Sequence, residues 1–344
     1  QPLHAAGLPG RIATENTVRN PGRTAVTAAA LMLVEDGVIQ LADPVARHVP
    51  ALKDWKVADE RGETAPMRPV SVHDLMRLTA GLAFAETASS ARAKTALASA
   101  GLSNGLKAAI EGRAQTPAEH AGRLAKAMLA AQPGAAWEAG PADDVLGHVV
   151  AAAAGKPLGQ FLKERVFEPL GMSDAAFVVG ETKRARLAEA GPGAGLVDVG
   201  EAPGAELAGS GLVLSATDAL RFGQMLLNGG VLDGKRVLSP STVRLMTANH
   251  LNEGVRFPAG EPGQHLVGSA GYGFGLGVAV RKSDGVAGVP GAAGSYLWGG
   301  VTGSTFWVDP KEELVIVYQA QSPTADRERA RRLVMQLVYQ AIVK

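Results

Sequence analysis

Apolar positions return every three or four residues between Thr24 and Asp36. Thr27, Ala30, Leu31 and Val34 share one face, Ala28 and Met32 widen it, and Gly37 is placed to cap the end. This spacing predicts a buried helix. The same period predicts a helix over Ala216–Asn228, where Ala219, Leu220, Phe222, Met225 and Leu226 form a stripe. Further helices are expected over 117–131, 142–154 and 158–167, and after Ser239, with Pro240 at a first helical position. Ser71 is suited to cap a short helix carrying Leu75, Met76 and Leu78, with Asp74 in its first turn and Gly81 as its stop. Leu41–Pro50 reads as an extended segment turning at Asp43-Pro44, and 83–116, small and alanine-rich, as a surface insertion.

The pattern changes in the last third. Tyr272–Val280 alternates glycine with larger residues and suits a closely packed strand. Phe306–Val308 and Leu314–Tyr318 read as strands joined by a turn at Asp309-Pro310-Lys311. A terminal helix over 323–342 carries Leu333, Val334, Leu337, Val338 and Ile342 on one face. Late antiparallel strands closed by a helix, with helices between, give an α+β class.

Composition narrows the chemistry. The 34 basic and 33 acidic residues leave a net charge of +1, which gives no electrostatic case for nucleic acid or an anionic membrane. With no cysteine, disulfides, thiolate metal sites and a cysteine nucleophile are excluded. No apolar run reaches the roughly 18–20 residues that cross a bilayer. The histidines (4, 48, 73, 120, 148, 250 and 265) show no metal-binding spacing, and Gly191–Gly195 lacks the lysine of a phosphate loop, so no cofactor or metal is expected. His148, inside an apolar helix, reads as a satisfied buried residue. A chain that opens on Gln1 reads as following a processed signal or as part of a longer gene.

Five stretches, in order, carry a resemblance. AALMLVEDGVIQLADPVARHVP (29–50), VSVHDLMRLTAGL (70–82), PGAAWEAGPADDVLGHVVAAAAGKPLGQFLKERVFEPLGM (133–172), GSGLVLSATDALRFGQMLLNGG (209–230) and SYLWGGVTGSTFWVDP (295–310) resemble landmarks of the β-lactamase-like serine hydrolases. Among these the likeness is to the family VIII esterases, whose W-G-G wall is matched by Trp298, Gly299 and Gly300. The resemblance implies one β-lactamase-like unit over 1–344. Its α/β part would span about 1–70 and 205–344, with a mainly helical insert over about 71–204. The short N-terminal part implies a sheet that lacks an edge.

It also implies an acyl-enzyme cycle run by a serine and lysine in S-x-x-K, a tyrosine, and backbone N–H groups that bind the oxyanion. Here the serine position falls on Asn20, the lysine on Arg23 and the tyrosine on Ala139. An amide is no nucleophile in this role, an arginine cannot accept the serine proton, and alanine has nothing to donate. A second alignment places Thr14 and Thr17 at the serine and lysine positions, and a third deletes the motif. The histidine usual in the second landmark is Leu78 here. Trp298, Gly299 and Gly300 are expected as a retained substrate and oxyanion wall. Trp137, Asp144, Ser210 and Ser304 read as structural. The expected ligand is a small ester, amide or β-lactam-like molecule, with hydrolysis impaired or absent. The alternatives are an active esterase or acyltransferase with another nucleophile (Thr14, Thr17 or Ser210), or a truncated or rearranged form of an ordinary esterase.

Overall fold

A computed structural model describes residues 17–19, 22–59, 62–103, 105–188, 199–257, 271–300, 302–321 and 327–343. The first helix, α1 (Gly22–Glu35), is buried from Gly22 to Leu33 on every side. That fits its run of alanines and aliphatics, which offers no polar stripe to solvent. It packs on α7 (Ala142–Ala154), the helix of the third landmark. Gly22 must be glycine because a Cβ there would lie 2.4 Å from the Ala208 carbonyl oxygen. Ahead of α1, β1 (Thr17–Arg19) pairs antiparallel with β4 (Val213–Ser215), Thr17 opposite Ser215.

The main sheet has five antiparallel strands in the order β11-β10-β9-β8-β7, with β7 Tyr272–Phe274, β8 Ala279–Arg281, β9 Tyr296–Gly299, β10 Gly303–Asp309 and β11 Leu314–Gln321. Helix α9 (Ala216–Leu227) packs on β10 and β11, and α11 (Arg327–Gln340) lies against β10. Between them run α3 (Val72–Met76), α4 (Ala91–Ser99), α5 (Gly105–Arg113), α6 (Pro117–Ala125) and α8 (Leu158–Leu162). One apolar cluster joins Val26, Leu31, Leu146, Phe222, Phe274 and Trp307, so helices and sheet share a core.

Several expectations are corrected. The segment 41–50 is not extended: Val45–His48 forms the single-turn α2, followed by a 3-10 turn at Pro50–Leu52. Asp43 organises that turn by accepting hydrogen bonds from Gln40 N (2.9 Å) and Arg47 Nη1 (2.8 Å). The stretch 83–116 is no surface loop, since α4 and α5 bury Ala93, Leu97 and Ala108 in the core; alanine's high helix propensity decides this. Helix α6 stops at Ala125, and after α8 the chain widens into a π-helical turn at Lys163–Phe167. Tyr272–Val280 is a hairpin of β7 and β8, with Gly277 at φ 71° between them. On α11 the buried face centres on Arg331 and Met335, whereas Leu333 and Leu337 face solvent. His148 is paired: its Nε2 lies 2.9 Å from His120 Nδ1, and burial pushes both rings down to about 4.

Candidate functional site

Three segments converge where the first turn of α1 meets β9. The first is α1 itself, which presents Arg23. This side chain is 9% exposed, and its Nε donates to the Asp143 carboxylate in the first turn of α7. Its guanidinium carbon sits 4.4 Å from the centroid of the Trp298 ring, a cation–π contact. Nη1 is buried and has no hydrogen-bond partner among the described residues. Burial raises Asp143 to about 6 although Arg23 opposes the rise. The neighbouring Asp144 is also lifted to about 6 by burial, against a hydrogen bond from Gly209 N (2.8 Å).

The second segment runs from Ala135 to Pro141. Its backbone is strapped on both sides: Trp137 N donates to Arg256 O (2.8 Å) and Glu138 N to Leu78 O (2.9 Å). Leu78 holds the left-handed region at φ 58°. Ala139, expected at the tyrosine position, is half-buried and packs on the core. Gly140 follows so tightly that a Cβ would lie 2.1 Å from Leu82 O. Glu138 is buried, its Oε2 has no hydrogen-bond partner among the described residues, and burial pushes its carboxyl up to about 7 while Arg256 opposes this. Because the unfolded group titrates near 4.5, the stability it contributes is complete below that pH and is lost as pH rises through 7. Relative to Glu138→Gln, the natural protein is therefore expected to lose about 3 kcal/mol between pH 4 and pH 8. Urea unfolding of both proteins across that range checks this; parallel profiles would contradict it.

The third segment is the β9–β10 hairpin. Trp298 is half-buried and meets Phe274 edge-on (5.5 Å), which in turn meets Trp137 (5.6 Å). Gly300 N donates to Ser304 O (2.8 Å), so this N–H is spent within the hairpin. Arg331 from α11 gathers the turn from behind, donating to Gly303 O (3.0 Å), Ser304 O (2.9 Å) and Gly300 O. A Cβ on Gly299 would lie 2.7 Å from that guanidinium carbon.

The structure thus brings Arg23 and Trp298 into contact, while Asn20 and Thr14 lie outside the described residues. Thr17 sits in β1. Ser210 follows Gly209 in the turn that covers Asp144, and Ser304 is a buried β10 residue whose Oγ donates to Ala320 O (3.0 Å). Two surface hollows of about 440 and 400 Å³ lie in the helical region, the first lined by Gln115, Arg123 and Lys126, the second by Glu86, Lys94 and Thr95. Neither is lined by Arg23, Ala139 or Trp298. Sequence reasoning missed Asp143, Glu138 and Arg331. An available signal was the acid pair Asp143-Asp144 opening a helix in a chain whose expected lysine position falls on Arg23. Nothing in the sequence marked Arg331.

The beta-lactamase family model matches residues 24–339, nearly the whole chain. The chain belongs to the beta-lactamase family. Its curated relatives within reach of this family include protein Rv1367c of Mycobacterium tuberculosis, 32% identical over 92% of this chain and 79% of that protein. Esterase EstB of Burkholderia gladioli is 31% identical over 88% of this chain and 76% of EstB. Among solved structures, EstCE1, described as a hydrolase with promiscuous acyltransferase activity, superposes with a TM-score of 0.72 at 24% identity. That match covers 95% of this chain and 85% of EstCE1, and it shows the shared fold. The chain is therefore a beta-lactamase-family protein of the serine-hydrolase type with esterase relatives, α+β in class. Among the described residues no helix is long and apolar enough to cross a membrane.

Proposed function

We propose that this chain is a beta-lactamase-family protein in which acyl transfer by the serine route is lost, and which is kept as a binding or scaffold module. The observation that carries this reading is the state of Arg23. At the lysine position stands a guanidinium that cannot accept a proton, held by Asp143 and seated on Trp298. The base position is thereby filled by a fixed ion pair. Ala139 supplies no second proton carrier, and Asn20 supplies no hydroxyl. Trp298, Gly299 and Gly300 form the wall beside this pair; a small ester is the ligand the esterase relatives point to, with an amide or β-lactam-like molecule as the further members of the proposed class. The α/β part (about 1–70 and 205–344) supplies the wall and Arg23, and the helical insert (about 71–204) supplies Asp143.

Steady-state assays with p-nitrophenyl butyrate and nitrocefin test this. Rates at the buffer background are expected for both. Multiple turnovers that Arg23→Met leaves intact would establish the competing reading, an active hydrolase with another nucleophile.

A further inference from the structure

We propose that the His73–His250 contact is an acid-released pin, which holds the turn after α10 (Pro240–Met246) against α3 and lets go when both rings are protonated. This goes beyond the reading of the site and does not depend on it. His73 Nε2 and His250 Nδ1 lie 2.9 Å apart, and the two half-buried rings meet edge to face at a centroid distance of 5.0 Å. Three further ties converge on His250. Its backbone N donates to Phe274 O in β7 (2.8 Å), its O accepts from Arg77 Nη1 (3.2 Å), and its Nε2 lies 2.7 Å from Leu245 O. Phe274 stands edge-on between Trp137 and Trp298, so the pin bears on the aromatic row of the site.

The proton positions follow from the acceptors. A carbonyl oxygen only accepts, so His250 Nε2 carries the proton and, in the neutral ring, Nδ1 is bare. His73 Nε2 is then the donor across the contact. One further proton can be taken up at His73 Nδ1 with this hydrogen bond kept. A second cannot, because it would put N–H groups on both facing nitrogens and set two imidazolium rings at hydrogen-bond distance. The pinned form therefore holds at most one extra proton, and the released form holds two.

The surrounding charges act in the same direction. Arg77 and Arg68 stand near the pair and oppose a positive ring. The Asp74 carboxylate favours one, but it is occupied by Arg68, Ser71 and Arg77. Burial, and Arg77 after it, pushes His73 down to about 4, and burial lowers His250 against its bond to Leu245 O. Released rings return to the ordinary value of 6.5. The contribution of the pin is therefore complete above pH 6.5 and is lost as pH falls toward 4.

Between those values the released form binds two protons and the pinned form none. From pH 7 to pH 5 the ratio of released to pinned should rise about 500-fold, against about 25-fold for a single titrating ring. Hydrogen exchange of the His250 amide, corrected for an exposed amide at each pH, reads this on the natural protein. In the double variant His73→Phe, His250→Phe, which keeps ring packing and loses both titrations, the corrected exchange should be independent of pH. Ring nitrogen spectra of the natural protein at pH 7 need no variant and should show His250 protonated at Nε2 and bare at Nδ1. A rise of about 25-fold or less overturns the proposal, as does the opposite tautomer of His250. So does a rise that the double variant retains, or one shared equally by the amides of the buried strand β10, which would mark unfolding of the whole chain.

Discussion

Replacing Asp143 by leucine is expected to cost about 3–5 kcal/mol of unfolding free energy at pH 7, because it leaves the Arg23 guanidinium buried without its counter-ion. The effect is large because Asp143 is the carboxylate that hydrogen-bonds the guanidinium, while the neighbouring Asp144 acts on Arg23 only through its charge and is held by Gly209 N. Nε is the nitrogen that reaches an acceptor, Nη1 has none, and the Trp298 face offers only a quadrupole. Removing both charges should behave differently. The double variant Arg23→Met, Asp143→Leu fills similar volume with apolar groups and should return to within about 1 kcal/mol of the natural protein, since a buried ion pair rarely outperforms well-packed apolar residues. Urea denaturation of the natural protein, both single variants and the double variant closes the cycle. If the single and double variants lose stability equally, the pair is not what holds Arg23 in place.

The second large effect is expected at Asp74, which organises the second landmark. It is fully buried and accepts hydrogen bonds from Arg68 Nη1 (2.5 Å) and Nη2 (2.8 Å), Arg77 Nη2 (3.0 Å), Ser71 N (2.9 Å) and Ser71 Oγ (2.6 Å). Burial alone would raise its carboxyl, but the bonds from Arg68, Ser71 and Arg77 hold it well below the usual carboxylate range. Asp74→Ala removes a capping box and the carboxylate of Arg77, which keeps only His250 O, while the partly exposed Arg68 can turn to water, so a loss of about 3 kcal/mol is expected at neutral pH. The sign with pH follows from the lowered carboxyl. Its contribution is complete above the unfolded value of 3.8 and is lost as pH falls below it. The deficit of the variant should therefore narrow between pH 5 and pH 2, which thermal unfolding at several pH values checks. A deficit independent of pH would show that Asp74 acts through packing instead of charge.

How much of this was legible beforehand differs between fold and site. Helix α1 was readable because its apolar period is long and Gly37 punctuates it, and Ser71 was readable because a cap and its Asp74 lie three residues apart. Such local signals survive into the folded state. The segment 83–116 was misread because small residues look alike in a loop and in a helix whose buried face needs only Ala93 and Leu97. On α11 the apolar pattern pointed the wrong way, because a buried arginine occupies the face toward the sheet and two leucines are left outside. No periodicity rule anticipates a cation held by three carbonyls.

The sequence offers candidate positions for the site but not its contacts. The expectation for Asn20, Arg23 and Ala139 rests on order along the chain, and that for Trp298 on its glycines. That Arg23 would be paired to Asp143, 120 residues away in sequence, depends on how α7 crosses α1, and this is set by packing. Glu138 is a similar case. Its neighbour Trp137 was visible as structural, yet the raised carboxyl follows from burial of a segment whose backbone is strapped to Leu78 and Arg256, both distant in the chain.

The central claim is that this beta-lactamase-family chain has no competent serine-type nucleophile beside Arg23 and Trp298. Intact-protein mass spectrometry after incubation with excess fluorophosphonate tests it most directly. The account predicts an unmodified mass, both for the natural protein and for Arg23→Met. A stoichiometric adduct on a single residue, lost on prior heat unfolding, would contradict it.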